Sequence, residues 1–156
     1  MLKVCFFGIY NPEYSRNRVL MNGLRQNDVV VLECRSEKTG FKKYIDLIKK
    51  HWKIRKDYNV LFVAFPGFQT MILARFLTRK KIIFDSFAPI YESEVLDRKN
   101  IKKESLKAKY YWLLDWASFK LADIVLVFTD EYRKYFIESF NIDEKKDKKN
   151  FIGDFD

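Results

Sequence analysis

Five short runs of apolar, β-branched residues, each followed by a segment with helical spacing, constrain this chain more than any other feature. The runs are 3–7, 28–34, 59–64, 81–85 and 123–128. The second reads Asp-Val-Val-Val-Leu-Glu-Cys, polar only at its ends. Strands that are continuously apolar need cover on both faces, which is the condition of a parallel sheet between helices. The intervening helical segments are 15–26, with Ser15 as N-cap and Val19, Leu20 and Leu24 as its stripe, then 41–56, 68–78, a long helix ending at Leu121, and 131–140. Residues 86 to about 99 read as a loop. Right-handed crossovers then predict a single α/β domain over residues 1–140, a doubly wound parallel sheet. Residues 141–149 are polar and charge-dense, the pattern of a linker, and 151–156 read as a fragment too short to pack by itself.

Composition decides what such a domain can be. A length of 156 residues fits one domain, and 48% hydrophobic with 17% aromatic residues is ample for a core, which excludes disorder as the main state. Cys5 and Cys34 are too few to staple a scaffold, so a reduced, cytoplasmic protein is expected. A single histidine, His51, leaves no Cys/His or Ser/His/Asp set to assemble, and neither a metal nor a cofactor is expected. The longest apolar stretch, 60–74, is broken by Pro66, Gly67, Gln69 and Thr70 and falls short of the roughly 20 residues a spanning helix needs.

The net charge of +9 is local. Residues 41–60 hold seven Lys and Arg against two Asp, so +5 of the excess lies in one twenty-residue stretch. Within it, apolar positions 41, 44, 45, 48 and 52 recur at helical spacing, with lysines on the remaining faces. One reading is a surface helix docked on the core with a solvated basic face. The other is a basic amphipathic helix at an anionic surface such as phospholipid head groups, reached through Lys42, Lys43, Lys49, Lys50, Trp52, Lys53 and Arg55. On that reading the protein is peripheral on the inner face of the membrane. No nucleic-acid motif accompanies the basic face, so no nucleic-acid partner is expected.

In an open α/β sheet, ligands bind beyond the carboxyl ends of the strands. After the first strand come Gly8, Asn11, Arg16 and Asn17; after the second, Glu33 and Arg35; after the third, Pro66-Gly67; after the fourth, Asp85-Ser86; after the fifth, Thr129-Asp130. Gly8 suits a tight turn close to a ligand, and the helix beginning near Arg16 points free N–H groups into the cleft. Asp85, at the tip of a central strand, is the candidate to orient or deprotonate a hydroxyl; a cap is its other reading. Glu33 reads as a rim or salt-bridge residue, Asp97-Arg98 as a surface pair, and Cys5 as a small core residue. Neither a G-x-G-x-x-G nor a G-x-x-x-x-G-K-[ST] is present, which argues against a standard NAD site and a P-loop hydrolase. A flavin phosphate loop needs a Ser/Thr/Gly-rich turn, which Tyr10-Asn11-Pro12-Glu13-Tyr14 is not.

Four segments carry a resemblance. They are the first strand with Gly8, Tyr10-Asn11-Pro12 and Arg16-Asn17; the strand Asp28-Val29-Val30-Val31-Leu32-Glu33; the segment Asp85-Ser86-Phe87-Ala88-Pro89-Ile90-Tyr91-Glu92-Ser93 with Val95 and Asp97-Arg98; and Asp115 with Ala122-Asp123-Ile124-Val125-Leu126, Thr129-Asp130 and Tyr135-Phe136. In order and spacing over about residues 2–140 they resemble the N-terminal domain of a GT-B glycosyltransferase of the retaining group 1, or family-4-like, type. The resemblance implies a Rossmann-like half of a two-domain enzyme that transfers a sugar from a nucleotide-sugar donor to a glycan or lipid-linked acceptor. This half would hold the acceptor, with Gly8, Asn11, Arg16, Asn17, Glu33, Gly67, Ser86 and Thr129 at the cleft and Asp85 nearest the chemistry. The donor domain, with its Glu-x7-Glu-type motif, is absent, so the chain alone is expected to be inactive without a partner chain that carries it. The histidine that many members have after the fourth strand is also missing, and Asp85 stands in that region. The alternative is a non-catalytic Rossmann-like binding or membrane-docking module that scaffolds or regulates a partner enzyme.

Overall fold

β1 (Lys3–Gly8), β2 (Val30–Arg35), β3 (Val60–Val63), β4 (Ile82–Asp85) and β5 (Ile124–Leu126) form one parallel sheet in a computed structural model that describes residues 1–127, 129–140 and 151–152. The strand order is β2-β1-β3-β4-β5, and a two-residue strand, β6 (Phe151–Ile152), extends it in parallel beside β5. These two residues therefore join the sheet instead of standing apart as an unpacked fragment. Pairing satisfies backbone groups that an open edge at β5 would leave bare. The expected linker, 141–149, lies outside the described residues.

Between the strands run α1 (Ser15–Gln26), α2 (Lys42–Ile54), α3 (Phe68–Leu77), α4 (Leu106–Leu121) and α5 (Asp130–Phe140). Ser15 is the first helical residue of α1; the capping position is Tyr14, which makes no side-chain cap. α4 does carry a cap, with the Ser105 hydroxyl accepting from the Ala108 N–H at 3.1 Å. The segment after β4 is not wholly a loop, since Glu92–Asp97 forms a π-helical turn.

Right-handed crossovers decide which face each helix covers. Only the β1-to-β2 step moves one way across the sheet, so α1 alone packs on that face, with Met21 against Val4, Phe6 and Phe62. Every later step moves the other way. Leu47 of α2, Met71 of α3, Leu114 and Phe119 of α4, and Phe136 of α5 accordingly share one core with Phe7, Leu61, Val63 and Phe84. Cys5 and Cys34 are buried free thiols within it. The hydrogen-bonded Cys34 thiol, and after it burial, raise the pKa of Cys5, which fits its reading as a core residue.

The facing of α2 departs from the reading that docks its apolar stripe on the core. Leu47 and His51 are the residues it buries, with Ile54 packed beside them. Phe41, Ile45, Ile48 and Trp52, four of the five apolar positions expected to dock, point outward and are exposed. Tyr44 is half-buried and donates its hydroxyl to Gln69 Oε1 of α3 at 2.6 Å. The inward face is fixed by polar chemistry as well as by oil. His51 Nε2 meets the Tyr58 hydroxyl at 2.7 Å, and Asp46 accepts from Ser36 Oγ at 2.8 Å.

Candidate functional site

Strand order reverses once, between β1 and β3, and the crevice beyond their carboxyl ends is the place where an open α/β sheet binds ligands. Gly8 ends β1 with φ +145°, a conformation that side chains rarely adopt, so glycine is required for the chain to leave the strand there. Gly67 is required for a different reason. A Cβ at that position would lie 2.6 Å from the Ala64 carbonyl oxygen and 2.7 Å from Val63 Cγ1, so its smallness lets α3 start tight against β3.

Arg16, one residue into α1, crosses to the end of β4 and grips Asp85. Arg16 Nε donates to both carboxylate oxygens at 2.9 and 2.8 Å, and Nη2 donates to Oδ1 at 2.6 Å. Asp85 is fully buried, and the Arg16 side chain is 12% exposed. Burial raises the Asp85 pKa, and the guanidinium pulls it back by hydrogen bonding and charge. Sequence picks out both residues for the cleft, and the structure brings them together. Their geometry is that of a pinned ion pair joining helix to sheet, with Asp85 facing a cation instead of an open space.

Asn17 is buried beside this pair. Its Nδ2 donates to the carbonyl oxygens of Asn11 and Phe65 at 3.0 and 3.3 Å, tying α1 to the loops after β1 and β3. Asn17 Oδ1 and Ser86 Oγ are both buried without a hydrogen-bond partner, a rare condition for polar atoms. Asn11 is exposed and closes a turn, its Oδ1 accepting from the Glu13 N–H at 2.9 Å. Glu33 sits on the rim, 3.2 Å from Arg25 and 3.8 Å from Arg35. Thr129 lies between β5 and α5, its carbonyl accepting from the Arg133 N–H. The pairing expected for Asp97-Arg98 is not formed; Arg98 bonds Glu94 one helical turn back at 2.9 Å.

The crevice also has an aromatic wall that sequence reading passes over. A groove of about 380 Å³ is lined by Tyr14, Phe65, Phe87, Ile90 and Arg98, and a neighbouring one of about 250 Å³ reaches Asn11 and Asn17. Phe65 meets Phe87 edge-on at 5.3 Å, and Arg16 lies over the Phe87 ring at 4.9 Å. Phe65 and Phe87 each stand just after a strand, so the rule that singled out Ser86 also reaches them. Asp115 of α4 secures this wall by accepting the N–H groups of Ile90 and Tyr91 at 3.2 and 2.8 Å. Burial pushes its carboxyl up to about 7 in spite of those two bonds. Among the described residues no three His, Cys, Asp or Glu side chains converge to hold a metal.

The basic residues divide between two surfaces. Lys43 lines a cavity of about 260 Å³ with Ile9, Pro66 and Gln69 on the crevice side. Lys50 is held by Asp46 at 3.1 Å and by the Arg35 carbonyl at 2.8 Å. Arg55 stacks over the Trp52 ring at 3.5 Å. Lys42, Lys49 and Lys53 are exposed around the outward apolar stripe. Asp46 is the one acid on the helix, and its bonds to Ser36 and Lys50 hold its carboxyl down at about 2. Among the described residues no helix is long and apolar enough to cross a membrane. Comparison with protein-family models, curated proteins and solved structures finds no match for this chain.

Proposed function

We propose that this domain is the acceptor-side half of a glycosyltransferase that moves a sugar from a nucleotide-sugar donor onto a glycan or lipid-linked acceptor. The observation that carries the reading is the groove at the β1/β3 switch, walled by Tyr14, Phe65 and Phe87, with Asn17, whose Oδ1 has no hydrogen-bond partner, lining the neighbouring pocket. Aromatic faces and a side-chain amide are chemistry that holds a sugar ring, the first by stacking and the second by hydrogen bonding. The Arg16–Asp85 pair would fix the floor of this wall and leave proton transfer to the donor side or to the acceptor itself. The reading assigns donor binding to a second Rossmann-like domain, on the same polypeptide or on a partner.

The outward stripe of α2 would bring the domain to an anionic membrane surface, where a lipid-linked acceptor resides. Phe41, Ile45, Ile48 and Trp52 supply apolar contact, and Lys42, Lys49 and Lys53 supply charge. A second reading, a non-catalytic docking module that scaffolds another enzyme, is favoured by one fact: Asp85 is wholly engaged by Arg16. Radiolabelled uridine- and guanosine-diphosphate sugars, with a lipid-phosphate-linked acceptor, separate the two. Transfer that appears only when a donor-binding domain is added supports the transferase. Absence of transfer with every such domain, with vesicle binding retained, supports the docking module.

A further inference from the structure

The outward stripe of α2 does not stand alone. α2, α3 and α4 lie side by side on one face of the sheet, sharing a core beneath them. Tyr44 of α2 bonds Gln69 of α3, and Ser118 of α4 donates to the Phe68 carbonyl of α3 at 3.1 Å. Parallel neighbours in one layer present their outer faces in the same direction. On that outer surface α3 exposes Phe76 at 83%, and α4 exposes Leu106 at 84% together with Tyr110 and Leu113. Trp112 and Trp116 stack one turn apart at the edge of the same face, partly exposed.

The charge on this surface has one sign. The three helices hold nine Lys and Arg against two Asp; with Lys43 on the crevice side, Lys50 paired with Asp46 and Arg75 paired with Asp123, six lysines remain for this surface. Neither aspartate is free, because Asp46 is tied to Ser36 and Lys50 and Asp115 is buried under Ile90 and Tyr91. α4 carries apolar side chains on its outer as well as its inner side, an arrangement more usual in a buried helix. Exposed apolar side chains on three neighbouring helices, with cationic side chains and no free carboxylate on those helices, have an obvious complement, a phospholipid surface with negative head groups. Tryptophan and tyrosine favour the head-group boundary, and lysine stems lie along apolar surface while their ammonium groups reach outward.

We infer that the whole outer face of α2, α3 and α4, and not α2 alone, is an anionic-lipid docking surface on which the domain lies flat. The inference rests on the docking part of the function proposed above and is independent of sugar transfer. It turns the carboxyl-end crevice sideways to the membrane, so that the acceptor groove opens along the head groups. Lysine contributes through its charge, and each one removed from the face lowers vesicle partitioning roughly fivefold at low salt.

All three tryptophans of the chain, Trp52, Trp112 and Trp116, belong to this face, which makes intrinsic fluorescence a direct probe. The experiment uses vesicles of brominated-acyl phosphatidylglycerol with phosphatidylcholine vesicles as the control. A Trp52→Phe variant reports from α4, and a Trp112→Phe/Trp116→Phe variant reports from α2. Quenching of both reporters by the anionic vesicles is the expected result. Quenching of the α2 reporter alone overturns the three-helix face and leaves α2 docking standing; quenching of neither overturns both. A stable dimer by sedimentation, with the α4 tryptophans shielded from acrylamide in the absence of lipid, would assign the face to a second copy and also overturn the inference. Phe76→Glu, at a fully exposed position that folding does not use, is expected to reduce quenching of both reporters without lowering the melting temperature.

Discussion

At the carboxyl ends of β1, β3 and β4, Arg16 and Asp85 satisfy each other's charge at 2.6–2.9 Å, with Asp85 fully buried and Arg16 largely so. On the outer face of α2, Phe41, Ile45, Ile48 and Trp52 lie exposed beside lysines with no acid turned toward them. The first region has its strongest groups committed to the fold, and the second has them uncommitted. What is left over in the crevice is therefore mild: the Asn17 side-chain amide oxygen and an aromatic wall. What is left over on the helical layer is strong, namely apolar area and positive charge. On the proposed reading, the helical layer would supply the firm grip on a surface and the crevice would hold a small ligand through shape and stacking.

The largest effect is expected from breaking the crevice pair. Asp85→Ala leaves a guanidinium buried without its partner, at a cost of about 3–5 kcal/mol. In thermal unfolding this is a fall of roughly 2–4 °C per kcal/mol for a chain of this size. Removing Arg16 as well is expected to restore part of the loss, giving a coupling energy in the double-mutant cycle. If Asp85→Ala melts like the parent while losing function, the pair is not structural and the contrast between the two regions collapses.

The next effect separates the two stripes of α2. Leu47→Ala is expected to cost about 2–5 kcal/mol, as core truncations do, whereas Ile48→Ala stays within about 0.5 kcal/mol. Equal losses at the two positions would return Ile48 to the core and remove the outward stripe.

These stripes show where sequence reading stops. The five βα units are legible because continuous apolar runs leave a strand no exposed face, and most of their boundaries fall within a residue or two of the structure; α4 is the exception, beginning at Leu106 behind its Ser105 cap although the loop reading ends near 99. Helix facing is a comparison of two stripes on one rod. The stripe 41, 45, 48, 52 is more apolar than 47, 51, 54, which contains the only histidine, so periodicity taken as a guide to the core chooses the wrong one. His51 is buried because Tyr58, seven residues on, receives it, and spacing does not encode that bond. In the crevice, position after a strand found Arg16, Asn17, Asp85 and Ser86, yet the Arg16–Asp85 bond spans 69 residues and exists only once the sheet has formed. The same rule took in Asn11 and Glu33, whose side chains are used in a turn and in rim ion pairs.

A smaller effect follows from His51. Burial, Lys80 and Arg55 lower its pKa from 6.5, so below that value the unfolded chain takes up a proton that the folded one resists. Its contribution to stability is full above about pH 6.5 and declines as pH falls through that value. Asp115, raised to about 7, has the opposite slope, because the folded state holds its proton more tightly, so the total curve conceals both. The difference in melting temperature between the parent and His51→Gln isolates the histidine. It is expected to be constant above pH 6.5 and to narrow below it; a difference that does not change with pH would mean the ring is not held neutral.

The measurement that tests the account most directly is flotation with phosphatidylglycerol-rich vesicles at low ionic strength, comparing the parent with Ile45→Ser/Ile48→Ser. Both residues are exposed, so the variant is expected to fold and melt like the parent. The account predicts that the parent floats with the vesicles and that the variant stays behind. A parent that fails to float, or a variant that floats equally well, would contradict it.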